Sequence, residues 1–263
     1  MPYFEATDRN RLYYNDWGTG QPVVFMHGWC LGADIWEYQT APLSRQGLRC
    51  IAYDRRGCAR SEQPATGYDY DTFADDLVAL VNHLDLTDVT LVAHSMAGGE
   101  IARYAARHGL DRVARAVFVA TTTPYILQHV PKEYFDEMIT NLEQDRPQYL
   151  TQAAPGFFGG ASVSDELVQW GVRLALQASP IATTEMIRVM SDTDFRVDLK
   201  SVTVPTLLIH GDADAGAPVE ITGRPTTELI EGSRLEIYEG AGHGVFITER
   251  ERFNNDLLEF VRS

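Results

Sequence analysis

Val89-Thr90-Leu91-Val92-Ala93-His94-Ser95-Met96-Ala97-Gly98-Gly99 is the stretch whose reading decides the fold. Val89 to Ala93 form a strand-length apolar run of the kind buried on both faces of a sheet. The run meets a serine among small residues and then enters a helix. A serine on such a strand-turn-helix junction is lifted above the sheet, while the following helix aims its N-terminal amides and positive dipole end at a developing anion. Small residues are needed on either side because neighbouring backbone comes close. Glycine is usual two positions before and after the serine, and Ala93 and Ala97 stand there, which predicts a slightly strained turn. A serine that merely caps the helix is the competing reading of this stretch alone.

Working outward, Tyr3 to Thr7 and Leu12 to Trp17 read as a hairpin, because Asp8-Arg9-Asn10 supplies turn residues between β-prone stretches. Further apolar runs recur at Val23 to Met26, Cys50 to Tyr53, Ala116 to Ala120, Thr206 to Ile209 and Leu235 to Tyr238. Amphipathic helices alternate with them. Phe73, Leu77, Leu80, Val81 and Leu84 give one apolar face, and Phe253, Leu257, Phe260 and Val261 another. Strands alternating with helices mean an α/β fold with a mostly parallel sheet, here eight-stranded, covered on both sides through right-handed crossovers. The alternation breaks over residues 125–200, where aromatic residues are scattered among helical stretches. That segment is expected to be a helical cap inserted into a core made of residues 1–124 and 201–263.

A chain of 263 residues, 44% hydrophobic and 22% charged, can bury a substantial core without disulfides or metals. A net charge of −15 with no basic stripe argues against a nucleic-acid partner. Cys30, Cys50 and Cys58 are too few and too irregularly spaced for a disulfide framework or a zinc or redox pair, which suits a reducing compartment. Met1-Pro2-Tyr3-Phe4-Glu5 lacks the basic start and apolar core of a signal peptide, and no apolar run reaches membrane length. The expected location is the cytoplasm, away from the membrane.

A serine hydroxyl is a poor nucleophile at neutral pH, so it needs a base within hydrogen-bond reach and a third group to fix that base's tautomer. In strand-turn-helix serine sites of this kind the chain order is serine, acid, histidine. The strand Thr206 to Ile209 runs into His210-Gly211-Asp212-Ala213-Asp214, and the strand Leu235 to Tyr238 runs into Glu239-Gly240-Ala241-Gly242-His243-Gly244. His243 is the expected base, and its glycine neighbours read as an exposed, sharply turned loop. Two aspartates compete for the third role. Asp214 can bend back toward the histidine and is preferred, whereas Asp212 is placed to bond loop amides. His83 and His108 fall on helices facing solvent, and His129 falls in the cap. A third strand ends at His27-Gly28-Trp29, which makes the backbone N–H groups of Trp29 and Met96 the expected oxyanion donors, with His27 structural.

Taken together, His27-Gly28-Trp29, Tyr53-Asp54-Arg55-Arg56-Gly57, Tyr68 to Leu77, His94-Ser95-Met96 and Asp192-Thr193-Asp194-Phe195-Arg196 closely resemble the arylesterase and cofactor-free haloperoxidase (perhydrolase) branch of the α/β-hydrolases. The likeness runs nearly the whole chain. It implies an acid in a G-x-x-D pattern, matched by Gly211 to Asp214, and a separation of 29 residues from that acid to the histidine. It also implies hydrolysis of small carboxylic esters or lactones, and peracid formation in several members. Perhydrolases often carry proline right after the oxyanion residue, where this chain has Cys30. The resemblance implies that the residues just after the acid line the pocket, and the small Ala215-Gly216-Ala217 there leaves room for a bulkier acyl or ring portion; the expected pocket residues are Trp29, Cys30, Phe158, Phe195, Ala217 and Val245.

The expectation is a serine hydrolase acting through an acyl enzyme on Ser95, with His243 as base and Asp214 as its partner, and with no cofactor or metal implied. The partner is a small-molecule ester or lactone, and self-association is left open. One rival keeps the site and uses hydrogen peroxide as acyl acceptor. Another is a ligand-binding protein on the same fold that performs no chemistry, from which covalent labelling by a fluorophosphonate would separate an enzyme.

Overall fold

The structure is a computed structural model and describes residues 2–263. Eight strands, β1 (Tyr3–Glu5), β2 (Arg11–Trp17), β3 (Gln21–Met26), β4 (Leu48–Tyr53), β5 (Val89–His94), β6 (Val113–Val119), β7 (Thr206–Gly211) and β8 (Arg234–Tyr238), form one sheet in the order β1-β2-β4-β3-β5-β6-β7-β8. The hairpin β1–β2 joins antiparallel at one edge, and β3 to β8 run parallel. Every run read as a strand is one. The helices are α1 (Glu37–Ser44), α2 (Tyr70–His83), α3 (Ala97–His108), α4 (Lys132–Phe157), α5 (Asp165–Ala175), α6 (Pro180–Asp192), α7 (Gly223–Leu229), α8 (Val245–Thr248) and α9 (Arg250–Arg262). Among the described residues none of them is long and apolar enough to cross a membrane.

Alternation along the central strands splits the core into two layers. Val24, Met26, Leu91, Ala93 and Phe118 pack with Phe73, Leu77 and Leu80 of α2 and with Ile101 of α3 on one face. Val23, Phe25, Val92, Val117 and Ile209 pack with Leu43 of α1 and with Phe253, Leu257 and Val261 of α9 on the other. The parallel register places Met26 beside Ala93, His94 beside Val119 and Gly211 beside Tyr238. The carboxyl ends of these strands therefore lie along one edge of the sheet, where ligands gather in open α/β folds.

No strand lies between β6 and β7, a stretch occupied by α4, α5 and α6. α4 is interrupted at Asp145, whose φ of −153° and ψ of 81° break the helical path. The Asp145 carboxylate accepts from the N–H of Gln148 at 3.0 Å and so caps the second half, in which Pro147 occupies the first turn. The two halves of α4 can thus line different sides of one space.

The Tyr53-Asp54-Arg55-Arg56-Gly57 segment leaves β4 with its three charged side chains fully buried, each of them paired. Asp54 accepts from the N–H of Ala33 at 2.6 Å and from Arg60 Nε at 2.7 Å. Arg56 donates to both oxygens of Asp76 at 2.6 Å, which turns that member of the acidic helix α2 inward. Arg55 donates from Nε to Glu100 of α3 at 2.5 Å, and Tyr53 Oη donates to the same carboxylate at 2.8 Å. Removing one member of such a pair strands a buried charge. Glu100→Leu is expected to cost about 3–5 kcal/mol in urea unfolding, whereas Arg55→Met with Glu100→Leu should recover most of that loss.

Candidate active site

Ser95 follows β5 with φ 58°, the left-handed region that side chains rarely enter. Its N–H donates to the carbonyl of Val119 at 2.8 Å, and its carbonyl accepts from Gly98 N–H at 3.1 Å, so the turn is held from both sides. Ala93 and Ala97 are both fully buried and accommodated. The close approach falls elsewhere, at three glycines. A Cβ on Gly28 would lie 2.6 Å from His94 Nδ1, one on Gly98 2.2 Å from Thr121 Oγ1, and one on Gly99 2.4 Å from the Phe195 ring.

The structure brings Ser95, His243 and Asp214 into one hydrogen-bonded line. Ser95 Oγ donates to His243 Nε2 at 3.0 Å, and His243 Nδ1–H donates to Asp214 Oδ2 at 2.8 Å. The other carboxylate oxygen accepts from the N–H groups of Gly216 at 2.9 Å and Ala217 at 2.8 Å. Burial opposes ionisation of Asp214, yet the His243 imidazole beside it, with hydrogen bonds from His210, His243 and Ala217, holds its carboxyl well below the usual carboxylate range. Asp212 instead accepts from the N–H of Gly240 at 2.6 Å, fixing the loop that carries the histidine. Two buried histidines, to which the sequence reading assigned no role, support the line. His210 Nε2–H donates to the Ala217 carbonyl at 2.7 Å and lies 3.4 Å from Asp214 Oδ2. His94 Nε2–H donates to the His243 carbonyl at 3.1 Å, with the two rings 4.7 Å apart.

The loop after β3 passes against the serine. A Cβ on Gly28 would stand only 3.2 Å from Ser95 Cβ. Arg55 reaches this loop from beneath, donating to the carbonyl of His27 at 2.6 Å and to that of Gly28 at 3.3 Å, and its own N–H donates to His27 Nε2 at 2.9 Å. Among the described residues the backbone N–H groups of Trp29 and Met96 have no hydrogen-bond partner. The Trp29 indole donates to the Thr183 carbonyl of α6 at 2.8 Å, tying this loop to the cap. Cys30 follows at φ 47°, a backbone angle outside the range of proline, and burial pushes its thiol well above its ordinary value.

A cavity of about 590 Å³ opens over Ser95 and His243. Trp29, Cys30 and Phe158 line it. Three expected pocket residues do not. Phe195 is 3% exposed, with its ring 4.6 Å from that of Tyr70 behind α3. Ala217 is fully buried, and it serves through its backbone, to Asp214 and His210. Val245 starts α8 and points into the core beside Phe246. Unforeseen walls come from Thr122 after β6 and from the cap residues Phe157, Tyr149 and Met138. Phe157 could have been suspected as the neighbour of Phe158, but the cap's other contributions follow only from how its helices fold back.

The glycines beside His243 have a different reason from the exposed turn read in the sequence. Gly242 and Gly244 are buried. A Cβ on Gly242 would lie 2.4 Å from Gly159 N, and Gly244 N–H donates to the Phe157 carbonyl at 2.6 Å. Backbone from the cap packs directly on the histidine loop. Among the described residues, no group of three or more His, Cys, Asp or Glu is placed to hold a metal ion.

The sequence model of one family, described as alpha/beta hydrolase fold, matches residues 21–250. The chain is 41% identical to a non-heme chloroperoxidase of Kitasatospora aureofaciens, over 99% of each chain. It is 38% identical to a bifunctional esterase/perhydrolase of Acinetobacter calcoaceticus over the whole of both. An esterase from Exiguobacterium antarcticum superposes with a TM-score of 0.96 at 37% identity, covering 99% of each chain.

Burial holds the His27 and His94 imidazoles well below the ordinary histidine range, helped by the charges of Arg55 and His243 respectively. In the unfolded chain both take up a proton near pH 6.5, so the unfolded state binds more protons below that value. Stability is therefore expected to be full above about pH 6.5 and to fall by roughly 1.4 kcal/mol per pH unit for each histidine on acidification toward pH 5. Urea midpoints across this range should show the slope, and His94→Asn should flatten it.

Proposed function

The chain belongs to the α/β-hydrolase fold family, and from that premise we propose that it transfers acyl groups from small carboxylic esters or lactones to water through an acyl-Ser95 intermediate. The observation that carries the reading is the line from Ser95 Oγ through His243 to Asp214, at 3.0 and 2.8 Å. Relatives whose names describe an esterase and an esterase/perhydrolase support it.

With Nδ1–H committed to Asp214, the Nε2 lone pair of His243 faces the serine and can accept its proton as Oγ attacks the substrate carbonyl. The carbonyl π electrons move onto oxygen. The unpartnered N–H groups of Trp29 and Met96 are the donors assigned to that oxyanion, the first held outward because Arg55 takes the carbonyls of His27 and Gly28. The imidazolium, steadied by ionised Asp214, returns the proton to the leaving alcohol as its bond to the acyl carbon breaks. Water then gives its proton to His243 and attacks the acyl enzyme, releasing the acid and restoring Ser95.

The same acyl enzyme admits a second acceptor. Hydrogen peroxide in place of water would leave as a peracid, with the same proton traffic and no change at the protein. The relatives named as a chloroperoxidase and an esterase/perhydrolase favour this as a side activity of the same site.

A fluorophosphonate is expected to label the protein once per chain, with labelling lost in Ser95→Ala; labelling that persists in that variant would refute the assignment. Asp214→Asn presents Nδ1–H with an amide that can rotate to donate instead of accept, and should lower kcat by about 10⁴ with little change in KM. Monochlorodimedone bromination with acetate and peroxide measures the second acceptor.

A further inference from the structure

Resting on the acyl-transfer reading, we propose that the cavity is built for substrates whose acyl part is an uncharged hydrocarbon of about eight to ten carbons. Two independent observations carry this. The first is the wall. In a chain of charge −15, no Asp, Glu, Lys or Arg among the described residues lines the space, whose hydroxyl and imidazole groups are those of Ser95, Thr122, His94 and His243 and of the cap residues Tyr134 and Tyr149. A charged or strongly hydrated acyl group would be stripped of water there without any partner, whereas a hydrocarbon gains from the same transfer. At roughly 30 Å³ for each water-sized group, 590 Å³ holds about twenty heavy atoms. Acetate would leave most of it unfilled.

The second observation is Gly171. It lies inside α5, where glycine weakens a helix. Its φ is not left-handed, and a Cβ placed on it would meet nothing within 4 Å. Neither strain nor close packing therefore requires glycine. Val168, Gly171, Val172 and Ala175 fall at one-face spacing and all line the cavity, so the missing side chain is volume left open on the substrate side. Met138 and Phe135 in the first half of α4, and Leu150 in the second, line the same space. Tyr134 and Ala153 are exposed and mark where the space meets solvent. The acyl portion is assigned to this space because it alone stays bonded to Ser95 through both half-reactions, so its burial favours both transition states relative to free enzyme and substrate.

The test is kcat/KM for p-nitrophenyl esters from acetate to dodecanoate, with Gly171→Leu and Gly171→Ala beside the native protein. The native enzyme should gain roughly twofold to fourfold per methylene up to octanoate or decanoate. An ester ending in a carboxylate should be cleaved at least about a hundredfold more slowly than the uncharged ester of equal length. Gly171→Leu should lower the octanoate-to-acetate ratio at least about tenfold without loss of thermal stability, with Gly171→Ala intermediate. Inactivation by ethyl and octyl fluorophosphonates, read as labelling of Ser95, gives the chain-length preference without turnover. Labelling together with a profile that is flat or declines beyond butanoate overturns this inference and leaves acyl transfer standing. An unchanged ratio in Gly171→Leu likewise overturns it. Absence of labelling by either reagent overturns both readings.

Discussion

The left-handed backbone of Ser95 is the constraint on which the rest of the site depends. A residue with φ 58° between a strand and a helix cannot hold itself there, and the neighbouring chain has to surround it closely enough to leave no alternative. Hydrogen bonds to Val119 and Gly98 fix its peptide groups, glycine at 28 lets the proposed oxyanion loop approach it, and glycines at 98 and 99 let the Thr121 turn and the Phe195 ring pack on the helix that follows. Burying Arg55 with Glu100 extends this upward. The ion pair joins the helix that starts at the serine to the loop that faces it, so the two sides of the proposed oxyanion site are set by one buried contact.

The sheet was legible because each strand is a short apolar run of its own, and the helices were legible because their apolar faces repeat at 3.6-residue spacing. The order of serine, acid and histidine could be read because parallel strands bring their ends to one edge whatever the sequence separation. Side-chain direction in the loops beyond those ends could not be read. Ala217 and Val245 sit next to proposed catalytic residues in sequence, yet one turns its backbone to Asp214 and the other its side chain to the core. Phe195 carries a family motif and packs behind α3, since a motif does not say which layer its aromatic ring enters.

The cap was legible as helical and nearly illegible as a wall. Its break at Asp145 depends on an aspartate cap followed by Pro147, and only the resulting angle decides that Phe135, Met138 and Leu150 face a common space. The meaning of Gly242 and Gly244 was hidden for a related reason. Glycine in a sequence signals either a turn or a close neighbour, and here the neighbour comes from the cap, some eighty residues upstream.

That contact has a mechanical consequence. The end of α4 is bonded to the histidine loop through Gly244 N–H and the Phe157 carbonyl, and an isolated β-bridge joins Gly159 to Ala241. Swinging the whole insertion away as a rigid lid would pull the imidazole off the serine. A displacement of the rear half of α4 would therefore carry the histidine loop with it, whereas the front half lies beyond the break at Asp145.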